Sequence, residues 1–169
     1  MTIRAARMSD ASSLAALSIE VWLGTYLNHG INGFFADYVL QEFTTARMET
    51  LIADPKQVIH VHENTNGIDG FIRVTSENPA PVNNPSETEI STLYVQPRHH
   101  GKGIGKHLLT AALDHCKTSG ISSVWLATNA ENSPAIAFYL ARGFVHVGET
   151  YFVIDDQQYL NNVYAHQLG

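Results

Sequence analysis

The chain has 169 residues, 44% of them hydrophobic and 15% charged, with a formal net charge of −6. That length and apolar content fit one globular domain, expected over residues 1–169, and exclude a disordered chain. The acidic balance argues against nucleic acid, no apolar run suits a membrane span or a signal-peptide core, and the single Cys116 excludes an internal disulfide, so a cytoplasmic protein is expected.

Thr2 to Ala6 reads as an opening strand. Ser9 is the expected cap of a first helix whose apolar stripe is Leu14, Leu17, Val21 and Trp22. Asn28-His29-Gly30 and Asn32-Gly33 break it. A second helical stretch covers Phe34 to Phe43, and Thr44 or Thr45 caps another that ends before Pro55. Gln57 to Glu63 alternates apolar and polar residues as a strand does, and Asn64-Thr65-Asn66-Gly67 turns it into a partner at Ile68 to Ser76. Asn78 to Ser86 is a loop rich in Asn and Pro, and Glu87 to Val95 is the central strand. Gly101 to Ser119 reads as a helix with Ile104, Leu108, Ala112 and Cys116 on one side. A strand at Ser122 to Thr128, a short helix and two strands, Phe144 to Ile154 and Tyr159 to His166, complete the chain. This order predicts a mixed α/β fold, a central sheet with helices packed against it.

Two segments carry chemistry. In His100-Gly101-Lys102-Gly103-Ile104-Gly105, alternating glycines at a strand-to-helix junction leave backbone N–H groups uncovered, and the helix adds the positive end of its dipole. That is a cradle for an anion such as a pyrophosphate. A P-loop is excluded because His107 follows Lys106 where Ser or Thr is required, and a dinucleotide fingerprint is excluded by the glycine spacing. The second segment is Asn132 to Phe144. Ser133 is the expected cap of a helix opening at Pro134, and Gly143 closes it in the left-handed conformation.

The two segments in this order resemble the GNAT superfamily of acyl-CoA-dependent N-acyltransferases. Its pattern is Arg/Gln-x-x-Gly-x-Gly/Ala after a central strand, then Asn-x-x-Ala-x-x-Phe-Tyr-x-x-x-Gly-Phe. Asn132, Ala135, Phe138, Tyr139, Gly143 and Phe144 match the second motif throughout. Gly103 and Gly105 match the first, while His100 stands where Arg or Gln is usual, a departure that leaves the amides of the cradle intact. The resemblance implies the GNAT acyl-CoA N-acyltransferase fold, a twisted sheet that splays beside the cradle, and acetyl-CoA as co-substrate. It implies that Leu93, Tyr94 and Val95 pair their backbone with the pantetheine arm and that the Val95 N–H meets the thioester carbonyl. His100, Gly101, Lys102, Gly103, Ile104 and Gly105 hold the pyrophosphate on this reading, and Asn132 bonds the arm.

Acyl transfer to an amine needs the ammonium deprotonated and the leaving thiolate protonated. By resemblance, Tyr139 is the candidate general acid and Glu89 the candidate general base. Tyr139 as a packed core residue, and Glu87 or a water chain as the base, remain open at this stage. Further similarity to bacterial spermidine/spermine N-acetyltransferases of the PaiA type lies in Glu89-Ile90, Leu93-Tyr94-Val95, Val124-Trp125-Leu126 and Gly143-Phe144-Val145. It points to a small polyamine-like amine, with Glu20, Asp37 and Glu42 as counter-charge. A peptide or protein amine, an aminoglycoside-like drug, and a non-catalytic acyl-CoA-binding module are the other readings, and relatives leave a homodimer open. The nine histidines form no metal-ligand spacing, so no metal is expected.

Overall fold

The computed structural model describes residues 2–169. The strands are β1 (Thr2–Ala5), β2 (Gln57–Asn64), β3 (Gly67–Thr75), β4 (Glu89–Val95), β5 (Ser123–Asn129), β6 (Val145–Ile154) and β7 (Gln157–Gln167). The helices are α1 (Ala11–Tyr26), α2 (Gly33–Glu42), α3 (Thr45–Ala53), α4 (Ile104–Thr118) and α5 (Ser133–Leu140). The seven strands make a mixed sheet in the order β1-β2-β3-β4-β5-β7-β6. β4 pairs with β5 in parallel at Glu89↔Trp125, and β7 runs antiparallel to both β5 and β6. By packing, the chain divides into two compact units, residues through Val74 with Thr92–Ala112, and Thr75–Ser91 with Leu113–Gly169. Among the described residues no helix is long and apolar enough to cross a membrane.

In the first unit the predicted stripe of α1 is buried, and Leu14, Leu17 and Val21 pack with Met48, Ile59, Val61 and Phe71. In the second unit Trp125, Val163 and Ala165 form a smaller core with Val82 and Val147 packed on it. Ile104, Leu108, Ala112 and Cys116 are all buried, as the helical spacing of α4 requires. Cys116 is a packing residue, and burial pushes its thiol pKa up.

Several boundaries shift, with β4 opening at Glu89 and not at Glu87 and β7 at Gln157 and not at Tyr159, and three differences have a local cause. Ser9 does not cap α1. A 3-10 turn at Met8–Asp10 precedes the helix, and the Asp10 carboxylate takes the Arg7 N–H at 2.7 Å. α4 begins at Ile104 and not at Gly101, because Gly101 and Gly103 hold φ of +81° and +82°, outside the right-handed helix. Asn132, and not Ser133, caps α5, its Oδ1 accepting from the Ala135 N–H at 3.3 Å. Thr44 caps α3, as one of the two expected candidates.

The Asp10 corner carries a stability prediction. Arg4 donates to both Asp10 oxygens, at 2.8 and 3.1 Å, with the two side chains only 15% and 10% exposed. The Arg4 guanidinium holds the Asp10 carboxyl below the usual carboxylate range. A depressed carboxylate pKa stabilises the fold above the unfolded value of about 3.9 and loses that contribution as pH falls through the folded value. Asp10→Asn is therefore expected to cost about 1.5–3 kcal/mol at pH 7, with the gap to wild type narrowing in acid. Urea unfolding at pH 7 and pH 3 measures it, and equal midpoints at both would remove the ion pair from the stability account.

Candidate functional site

In the first unit, β4 runs into the cradle. Gln96 donates its N–H to the Asp69 carbonyl on β3 at 2.9 Å. Successive N–H groups of extended backbone alternate edges, so the N–H of Val95 points to the edge away from β3. Tyr94 keeps its ring in the core, edge-on to Phe71 and Phe43 at 5.8 and 6.4 Å, and burial raises its hydroxyl pKa. Its backbone is what it offers to a ligand. Leu93 is half-buried and Val95 buried.

The loop is held to the strand by a histidine. His100 Nε2 bonds the Val95 carbonyl at 2.9 Å, which gives the residue a local task, tying loop to strand end, beside any phosphate contact. Gly101 has nothing within 4 Å of where a Cβ would stand, and Gly103 has only His107, at 3.9 Å. The N–H groups of Gly101 to Gly105 donate to no other described residue, while the Gly103 carbonyl accepts the first helical bond, from His107. Five uncommitted amides at the start of a 15-residue helix suit an anion. Lys102 turns its side chain onto His99 Nδ1 at 3.1 Å.

In the second unit, Glu89 opens β4, half-buried, with Glu87 exposed two residues before it. The Glu89 carboxylate accepts from Asn78 Nδ2. Asn78 is itself fixed twice, its N–H donating to the Glu87 carbonyl and its carbonyl accepting from Trp125 Nε1, both at 2.8 Å. Sequence reasoning passed over Asn78 as one more residue of an Asn- and Pro-rich loop. Its only signal was a position just after a strand.

α5 carries Asn132 and Tyr139. Asn132 spends its Oδ1 on the cap, and its Nδ2 has no partner among the described residues. The Tyr139 ring packs against Phe138 at 5.2 Å and Phe144 at 5.5 Å. Burial raises the hydroxyl pKa, and the hydroxyl makes no hydrogen bond among the described residues. The residue is half-buried, so the hydroxyl is open to a ligand or to water. Gly143 ends the segment at φ +89°, where a Cβ would lie 2.9 Å from the His166 ring. Among the described residues no group of three or more His, Cys, Asp or Glu could hold a metal ion.

Chemically, the set offers free amides for an anion, an uncommitted phenol for proton donation and an oriented carboxylate. Comparison with known proteins bears on the family. Residues 27–144 match the acetyltransferase (GNAT) family. An N-acetyltransferase of Mycobacterium bovis that is itself uncharacterised is 27% identical over 137 residues, which cover 81% of this chain and 84% of that one. Mycothiol acetyltransferase of Renibacterium salmoninarum is 33% identical over 82 residues, 48% of this chain but only 24% of that longer protein. Among solved structures, the PaiA N-acetyltransferase of Thermoplasma acidophilum in complex with coenzyme A superposes with a TM-score of 0.74 at 20% identity, over 99% of both chains. The chain belongs to the acetyltransferase (GNAT) family of acetyl-CoA-dependent acyltransferases.

Proposed function

We propose that this chain is an N-acetyltransferase that moves an acetyl group from acetyl-CoA to a primary amine of a small, polyamine-like substrate, by direct attack in a ternary complex. Residues 1–169 act as one catalytic domain on this reading, in a cytoplasmic setting that the lone cysteine suits. The observation that carries it is Tyr139, a protonated hydroxyl on a packed ring with no hydrogen-bond partner among the described residues.

Acetyl-CoA supplies the activated acetyl group. The amides of Gly101 to Gly105 hold its pyrophosphate, and the edge of β4 at Leu93 to Val95 pairs with its arm. The Val95 N–H polarises the thioester carbonyl. Asn132 donates its free carboxamide N–H to the arm. Glu89, oriented by Asn78, takes the proton from the amine, and Tyr139 gives one to the leaving sulfur.

For the acceptor, the support is Glu89 together with the exposed Asp37. Glu20 is already bonded to Gln96 and Arg98, and Glu42 to Arg47, so these two add less counter-charge than the sequence suggests. The same ion pairs favour a second reading, a peptide amine or an aminoglycoside-like drug, which demands less concentrated negative charge.

Acetyl-CoA at a hundredfold excess over its dissociation constant is expected to stabilise the protein by about 2.7 kcal/mol. Gly103→Val is expected to erase that response, since a side chain there stands among the amides and Gly103 sits at φ +82°. A thermal shift with ATP or NAD and none with acetyl-CoA would overturn the cofactor. Acetyl transfer measured across spermidine, peptides and aminoglycosides separates the acceptors, with spermidine expected first.

A further inference from the structure

A cavity of about 560 Å³ opens in the first unit, walled by β1, β2, β3, the loop before α4 and the first turn of α4. Among the described residues, neither Glu89, Asn132 nor Tyr139 lines it. Beside Thr2, its polar lining is His62, Asn64, Asp69, His99, Lys102 and His107.

At its base His62 Nδ1 and Asp69 Oδ1 stand 2.6 Å apart, with the two side chains 6% and 2% exposed. A carboxylate can only accept, so Nδ1 carries the proton. Asn64 Nδ2 donates to the other Asp69 oxygen at 2.9 Å, and Asn64 is locked by the N–H groups of Asn66 and Gly67 on its own Oδ1. Asp69 is thereby fully engaged. The second nitrogen of His62 is not. Nε2 makes no hydrogen bond among the described residues, although the ring is more than nine-tenths buried and lines the cavity. The large majority of buried side-chain polar atoms are hydrogen-bonded, so an open nitrogen on a buried ring calls for a partner. A carboxylate-oriented imidazole with its far nitrogen open to a cavity is built to meet a ligand.

The charge of the lining says which ligand. Asp69 is its only carboxylate among the described residues, and its two oxygens are already taken by His62 and Asn64. Lys102 Nζ donates to His99 Nδ1 at 3.1 Å, which leaves the His99 proton on Nε2. His107 follows on the exposed side of α4. The remaining groups are an ammonium and imidazole N–H donors, so the cavity favours an anion. A phosphate suits it better than a carboxylate. Its oxygens accept from Lys102 and the imidazoles, and its P–OH can donate to Nε2 when His62 is neutral. A carboxylate can only accept. The volume lies within the usual 300–1,000 Å³ of small-molecule sites and exceeds what a bare phosphate fills.

We propose that this cavity binds a phosphate group, free or as a small phosphate monoester, with His62 Nε2 as its central contact and Lys102 and His107 beside it. The site shares Lys102 and Ile104 with the loop assigned to the pyrophosphate, but Lys102 turns its Nζ to His99, and the other contacts, His62 and His107, lie outside that loop; the proposal does not rest on the acetyl-CoA reading.

Calorimetric titration at fixed ionic strength tests it, with inorganic phosphate and glycerol phosphate as probes and acetate as the control. Saturable binding of phosphate, at least tenfold tighter than acetate and unchanged by saturating coenzyme A, is expected. His62→Gln should weaken it at least tenfold while the thermal response to acetyl-CoA stays as in wild type. His107→Ala, an exposed change that the fold tolerates, should weaken it several-fold. The ¹⁵N resonance of His62 Nε2 in the wild type should move on phosphate addition, which decides the matter even if His62→Gln does not fold. A tighter glycerol phosphate identifies a monoester as the occupant, and equal affinities identify free phosphate. Displacement of phosphate by coenzyme A, equal binding of acetate, or a still His62 resonance would overturn the proposal.

Discussion

Tyr139→Phe is expected to lower acetyl-transfer turnover by about 10²–10⁴-fold and to leave acetyl-CoA binding within a few-fold of wild type. The ring contacts with Phe138 and Phe144 survive the change, because phenylalanine keeps the ring. The lost hydroxyl has no hydrogen-bond partner among the described residues, so no buried group is left unpaired and stability should hold. What disappears is a proton donor. Burial holds the phenol pKa above its ordinary value of about 10, so the proton is in place throughout the physiological range. The same shift has a sign for stability. A raised pKa stabilises the fold below about pH 10 and is lost as pH climbs through the folded value. Wild type should therefore lose more stability than the Phe variant in strong alkali. Steady-state kinetics beside thermal melts make the measurement. Unchanged turnover would return Tyr139 to packing, and a turnover loss matched by a fall in melting temperature would make its role structural.

What could be read without coordinates was whatever is local. The stripe of α1 and the buried side of α4 follow from helical spacing, and the turn at Asn64 to Gly67 from its residue types. The cradle was visible because glycine is itself the signal for open amides. Its helix was extended too far back, since the apolar spacing does not reveal that Gly101 and Gly103 stand at positive φ. Ser9 looked like the cap because serine is a good one. Asp10 prevails through Arg4, whose partner also includes Glu63, 59 residues along the chain. Asn78 and the His62–Asp69 pair were illegible for the same reason. Each depends on which strands and loops lie side by side, and a loop asparagine or a strand histidine carries no mark of that in one sequence. Asp69 came nearest to a mark, a charged residue between Ile68 and the apolar run Phe71-Ile72, where burial makes a partner necessary.

Glu89→Gln is expected to depress the rate on spermidine by about 10²–10⁴-fold at pH 7 and to recover part of it near pH 10. An amine with a pKa of about 10.4 is almost wholly protonated at neutral pH, so attack waits on removal of a proton. Glutamine can still accept from Asn78 through its carbonyl, which preserves the position while removing the base. At high pH free amine is abundant, and the requirement lapses. A mutant-to-wild-type ratio that stays flat from pH 7 to pH 10 would remove Glu89 as the base and leave the task to water. Asn78 supplies the second half of the test. Asn78→Ala takes the hydrogen bond from the carboxylate, and the indole of Trp125 still has the backbone carbonyl of residue 78 to bond. If Asn78 acts by aiming Glu89, this change should lower turnover in the wild type more than it raises KM, and should do little in the Glu89→Gln background. Effects of one shared interaction are not additive. Additive losses would mean that Asn78 serves the loop and not the base. Activity on spermidine should also fall with added salt, because counter-ions screen the attraction between a polycation and an acidic protein. A rate indifferent to salt, with peptides or aminoglycosides the better acceptors, would move the substrate away from polyamines and leave the proton chemistry of Glu89 and Tyr139 where it stands.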